Sequence, residues 1–342
     1  MALALAAADR NISSGYYDAL DGKSGASLKA AALGCIKGQK VISYGDDTWD
    51  VFRDSDVRPD GTWWDIYSNE RRYASSGHGG MNIEHAVANS WWGKTKNDAY
   101  KDIHHLFPSD ANANSRKSNY PLGEASTVTW TNNVTIIGKP SNGHGGQGGY
   151  IYEPADEYKG DNARVYFYMA TRYPTIGWRD DSGASSWGIM FDKENYPTLV
   201  SWAQTLLLKW ADNDQVSQKE IDRNEAIYKH QKNRNPFVDL PGLEDYIWGD
   251  KKNVAFDLAA ALVGQSSINS VEETVSFGVE VYSGGITVDC GEPLNRLFIM
   301  DMSGRMIVGL NNVVDGTSIS LAPGLYIVSA GKASRPQKVI VR

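Results

Sequence analysis

The chain has 342 residues, a formal net charge of −7, two cysteines and eleven tryptophans. That length is long for one domain and fits two, while two cysteines exclude a disulfide-stapled scaffold. The negative balance excludes nucleic-acid binding through bulk charge and leaves that role only to a locally positive surface.

In chain order, the opening Met1-Ala-Leu-Ala-Leu-Ala-Ala-Ala8 is apolar and rich in small residues. It reads as the remnant of a signal peptide over residues 1–10, lacking a basic start and too short to be whole or to span a bilayer. Cys35 reads as a small buried hydrophobe, since no neighbour in sequence would activate its thiol. Trp63-Trp64 and Trp91-Trp92 sit among apolar residues and read as core packing rather than as base-stacking pairs.

The segment from Asn82 to Asn119 carries the densest chemistry. A strand is predicted over 82–87, a connection over 88–101, a strand or loop over 102–108, and a helix from about Ser109. Ser109 or Asp110 would cap that helix by accepting from its open N–H groups. Glu84 on the strand and Asn114 in the first two helical turns are hard oxygen donors suited to Mg²⁺, Ca²⁺ or Mn²⁺. His85 can take a proton near neutral pH. Neighbouring side chains on a flat strand point to opposite faces, so a shared site for Glu84 and His85 needs the strand to end there or to bulge. From Lys94 to Asn119 five Lys/Arg face three Asp, with His104 and His105 in addition, so this region is locally positive.

The Glu84-His85 pair, Asp102-x-His-His-Leu-x-Pro108-Ser-Asp110 and Asn114-Ser-Arg-x-Ser-Asn119 resemble the endonuclease I family of secreted and periplasmic nucleases. Glu153-Pro-x-Asp156, Lys159-Gly-Asp161-x-Ala-Arg164, Tyr166-x-Tyr168-Met-Ala-Thr-Arg172-Tyr173, Glu220-Ile-x-Arg223-Asn224 and Gln231-x-Asn233-Arg234-Asn235-Pro extend the resemblance over roughly residues 11–250. It implies a ββα-metal (His-Me finger) site over about 80–120, with His85 as general base and Glu84 and Asn114 holding one divalent ion. His105 would hold the loop before the helix. Arg116 is the choice for the phosphate-clamping arginine, with Arg72 and Arg164 as alternatives. Ala88 departs from the family pattern, in which a proline commonly follows the Glu-His pair. Asp102 and His104 read as structural neighbours, as does Asn119. Asp161 and Arg164 read as a helix start, and Arg234 as either a brace or a phosphate contact.

Further on, Asn142-Gly-His-Gly-Gly-Gln-Gly-Gly149 lacks the Lys and Ser/Thr of a P-loop and reads as a surface loop, with His144 exposed. Leu206–Trp210 and Ile221–Ile227 carry helical periodicity. The tryptophans stop at Trp248. A polar linker is predicted over 264–270, then short strands near 275–281, 285–288, 296–301, 306–308, 318–321, 324–330 and 337–341, separated by turn residues. This argues for a small sandwich over 271–342. Leu297-Phe-Ile-Met-Asp-Met-Ser-Gly304, Leu321-Ala-Pro-Gly324-Leu-Tyr326 and Lys338-Val resemble the C-terminal sorting domain of type IX secretion cargo.

The resulting expectation is an α+β nuclease domain over 11–263 followed by an Ig-like sandwich. It describes a monomeric, secreted or cell-surface enzyme without a membrane span. The substrates would be the backbones of DNA and RNA, and the type IX machinery its partner. An RNA-restricted enzyme and a non-catalytic adhesion or nucleic-acid-binding protein are the alternatives.

Overall fold

The computed structural model describes residues 10–178, 190–266, 277–301, 306–330 and 337–341. The signal-peptide reading and most of the predicted linker lie outside these residues. The chain divides into two compact units, Met1–Val263 and Gly264–Arg342.

In the first unit, α1 (Gly25–Ile36) and α2 (Asp46–Ser55) precede an antiparallel hairpin of β1 (Met81–His85) and β2 (Leu106–Asp110). Helix α3 (Ala111–Lys117) follows without a break and packs on both strands. A three-stranded antiparallel sheet, β3 (Ala125–Thr131), β4 (Thr135–Pro140) and β5 (Ile151–Pro154), comes next. Gly138 allows β3 and β4 to close, since a Cβ there would meet the Thr127 carbonyl oxygen at 2.4 Å.

Helices α4 (Lys159–Arg172), α5 (Ser201–Asn213), α6 (Gln218–Gln231), α7 (Pro236–Asp239), α8 (Leu243–Ile247) and α9 (Leu258–Ser266) complete the unit. Ser217 and Glu220 form a capping box at the start of α6, and Asn235 caps α7 with Pro236 at its first position. Helix α4 is almost wholly buried and runs through the core. Trp63, Trp64, Trp91 and Trp92 are all buried, so both pairs serve packing. Helix α9 reaches Ser266, so the first three residues of the predicted linker are helical.

The second unit holds β6 (Phe277–Tyr282), β7 (Gly285–Cys290), β8 (Leu294–Asp301), β9 (Met306–Val313), β10 (Thr317–Ser320), β11 (Gly324–Ser329) and β12 (Gln337–Val341). They form two antiparallel sheets, ordered β10-β7-β6 and β12-β11-β8-β9. Ile286 and Val288 from one sheet share a core with Leu297, Ile299 and Val328 from the other. Cys290 is buried here and Cys35 is half-buried in the first unit; both are free thiols. Among the described residues, no helix is long and apolar enough to cross a membrane.

Candidate active site

The hairpin is regular: Glu84 pairs with Phe107 and His85 with Leu106. There is no bulge, and the strand ends at His85. The two side chains accordingly meet different neighbours. The Glu84 carboxylate faces α3, where Lys117 Nζ lies 2.6 Å from its Oε1. The His85 ring faces the connection, with Nε2 at 3.0 Å from the Tyr100 carbonyl oxygen. That connection is a series of 3₁₀ turns, including Ala99–Lys101 and Ile103–His105. Of the strand or loop expected over 102–108, residues 103–105 are turn and β2 begins at Leu106. The physical reason is Asp102, whose Oδ1 accepts from the His104 N–H at 3.0 Å and curls the chain.

Asp110, not Ser109, caps α3, accepting from the Ala113 N–H at 2.8 Å. Asn114 and Lys117 are three residues apart and share a helix face. Lys117 reaches Glu84 on β1, and Asn114, one turn earlier, is half-buried.

Burial sets the electrostatics. Glu84 is 6 % and His85 7 % exposed. Burial raises the Glu84 carboxyl above its ordinary value, and the charge and hydrogen bond of Lys117 oppose that. Burial, helped by His105, pushes His85 down to about 3, so the ring is neutral across the physiological range. The ring is enclosed by aromatics: Tyr100 at 4.5 Å, His105 at 5.4 Å and Tyr44 stacked at 5.5 Å with an 18° interplanar angle. Tyr44 is 37 % exposed and forms the outer wall of this pocket.

The remaining predicted residues build the frame. Asp102 is a buried hub that accepts from Gln39, Tyr168, Tyr173 and Gln231. Burial opposes its charge, but His104, His105 and these donors hold its carboxyl below the usual range. His104 Nε2 meets the Asn233 carbonyl oxygen at 3.2 Å. His105 Nε2 meets that of Ala99 at 2.6 Å, while its buried Nδ1 has no partner among the described residues. Burial pushes both histidines down to about 4. Asn119 donates to Ser90 Oγ at 3.0 Å and, through its carbonyl, accepts from Trp91. From α6, Arg223 donates to the carbonyl oxygens of Ile103 at 3.0 Å and Leu106 at 2.6 Å, fixing where the turn becomes strand.

The arginines separate clearly. Arg164 is buried and makes two bonds to Glu220, at 2.6 and 2.9 Å, so it is a structural brace. Arg234 is likewise buried against Asp239 and Glu225. Arg72 pairs with Asp110 at the opposite end of the hairpin, three residues from Glu84 and thus about 10 Å along the strand. Arg116 is exposed on α3, with its guanidinium 5.5 Å from the Trp130 ring centroid.

Sequence reasoning assigned no role to Lys117, Tyr100 or Tyr44. Lys117 was open to it, through the three-residue spacing from Asn114. Tyr44 was not, because it comes from a loop some 40 residues before His85. His144, expected to stand exposed and unengaged, is exposed but stacks on Trp202 at 4.8 Å.

The profile of the endonuclease I family matches residues 24–242. An extracellular ribonuclease of Bacillus subtilis (strain 168) is 35% identical over 242 residues, covering 68% of this chain and 78% of that protein. An extracellular ribonuclease of Bacillus amyloliquefaciens is 35% identical over 247 residues, with 68% and 78% covered. On this match across most of its first unit, the chain belongs to the endonuclease I family and is a nuclease.

Proposed function

We propose that the protein is a secreted, sequence-nonspecific, metal-dependent endonuclease that hydrolyses the phosphodiester backbone of DNA and RNA. The observation that carries this reading is the buried His85 ring at the end of β1, anchored at one nitrogen and next in sequence to the Glu84 carboxylate, which faces α3. A carbonyl oxygen only accepts, so the contact from His85 Nε2 to Tyr100 puts the ring proton on Nε2 and leaves the lone pair on Nδ1. A neutral imidazole anchored at one nitrogen can take a proton from an attacking water at the other.

Nucleases of this family generally depend on a divalent ion. The Glu84 carboxylate on β1 and the Asn114 amide on α3 fit such an ion by donor chemistry, since both offer hard oxygens; Lys117 holds Glu84 Oε1, which leaves Oε2 for the ion. Among the described residues no group of three or more His, Cys, Asp or Glu could hold a metal ion, and with two protein donors water and substrate oxygens would complete the shell. Glu84 and Asn114 would hold it; when bound, it supplies charge stabilisation to the transition state and the leaving oxygen. Arg116 is the cation that meets the non-bridging oxygens. Backbone contacts of this kind carry no sequence information.

The relatives are named as extracellular ribonucleases, which favours a second reading in which RNA alone is cut. Incubation of plasmid DNA and total RNA with Mg²⁺ is expected to degrade both, and EDTA to stop both. Loss of RNA with intact plasmid would establish the restricted reading, and no degradation of either would overturn the assignment.

The second unit is a sorting domain for type IX secretion in this reading. It has its own core and no tryptophan. Deleting Ser270–Arg342 is expected to leave specific activity and the melting temperature of the remainder within error, while abolishing export in a host with that machinery. An inactive or unfolded truncation would make the second unit part of the nuclease body.

A further inference from the structure

One face of the β3-β4-β5 sheet packs on the core beside α3, and its outer residues reach solvent. Trp130, Ile137 and Tyr152 lie side by side across the three strands and so share that face. Ile137 and Tyr152 are buried and form its floor. Two residues along, Lys139 and Tyr150 lie on the same side by the period of the strand; Tyr150 is extended at φ −86°, ψ 150°.

Each aromatic ring on this face carries a cation. Lys117 stands 5.7 Å from the Tyr152 ring, Arg116 5.5 Å from Trp130, and Lys139 5.3 Å from Tyr150. Tyr120, just past α3, leans on Tyr150 at 5.6 Å. Arg116 and Lys139 are exposed; Tyr120, Trp130 and Tyr150 are half-buried. Lys117 is the residue that also touches Glu84, so this row of rings and cations begins at the candidate site itself.

We infer that this face is a platform for unpaired nucleotides, on which Tyr150 and Trp130 stack bases while Lys139 takes a flanking phosphate and Arg116, beside Trp130, keeps the phosphate being cut. The inference rests on the nuclease reading above and deepens it: single-stranded nucleic acid is the substrate class that uses this face, while a duplex is cut without it. Rings and cations in alternation are what single-strand binding needs, because every base offers a π-face and every linkage a charge. A duplex keeps its bases stacked inside and can use only the cations. The step from Tyr152 to Tyr150 is about 7 Å along the strand, and from Tyr152 to Trp130 about 10 Å across two strands. The cations that cover the rings are on flexible stems, so a base can displace them onto its own phosphates.

The test compares three substrates with Mg²⁺ present: bis(p-nitrophenyl) phosphate, which has no base, a single-stranded oligonucleotide, and the same sequence as a duplex. Tyr150→Leu keeps apolar bulk and removes the ring; Tyr150→Trp keeps a ring. Tyr150→Leu is expected to lower kcat/KM on the single strand roughly tenfold, to leave bis(p-nitrophenyl) phosphate unchanged and to move the duplex by less than twofold. Tyr150→Trp should stay near wild type on all three. Equal losses on single strand and duplex, or no loss on either, would overturn the platform. Failure of the wild-type protein to cut any of the three would instead overturn the nuclease reading on which it rests.

Discussion

Replacing His85 with alanine is expected to lower the single-turnover rate about 10²–10⁴-fold while leaving divalent-ion affinity near wild type. The separation follows from the contacts: His85 meets Tyr100 and the aromatic wall, whereas Glu84 meets α3. The pH dependence is a sharper form of the same prediction. The base must be unprotonated, and burial and His105 push His85 down to about 3. Activity governed by His85 should therefore persist as pH falls through 6.5, the ordinary histidine value, and its acid limb should lie below pH 5. A limb set by Glu84 would shift with metal concentration, and one set by His85 would not. Near-normal cleavage by His85→Ala would remove the residue from the chemistry.

Lys117→Met is expected to destabilise the nuclease unit by about 3–5 kcal/mol, because it leaves the Glu84 carboxylate buried without its cation. Both side chains are nearly inaccessible, at 1 % for Lys117 and 8 % for Glu84. For a unit of this size the loss corresponds to a melting temperature lower by roughly 6–20 °C. Burial already raises the Glu84 carboxyl, and losing Lys117 raises it further. Between the unfolded value and that raised value the folded state binds more protons than the unfolded one, so variant stability should fall as pH rises. The deficit against wild type should accordingly shrink from pH 8 to pH 5. Adding Glu84→Gln to Lys117→Met should recover much of the loss. A melting temperature within about 2 °C of wild type would show that the ion pair contributes nothing to stability.

The parts of this site that were legible in sequence are those set by neighbours along the chain. Asp110 caps α3 by a contact three residues away, and Asn114 follows from the position of that cap. In the second unit the predicted strand near 337–341 coincides with β12, and the others are shifted at their ends by a few residues, because alternation and turn residues are local signals. Sequence left strand or loop open over 102–108, because the Asp102 side-chain bond that turns the chain at 103–105 is not visible from residue type alone. The brace role of Arg164 became decisive only once α6 brought Glu220 against it from 56 positions on. Tyr44 was invisible for the same reason. Its importance comes from where the chain folds back, and no motif marks it.

Asp102 accepts from Gln39, 63 positions earlier, and from Gln231, 129 positions later. The hairpin and helix of the candidate site are thus not a cassette that could be lifted out and grafted. Their covalent extent is short, but the scaffold that aims them is drawn from almost the whole first unit. A change at Gln39 or Gln231 would therefore be felt at the turn that Asp102 holds, although neither residue is near it in sequence.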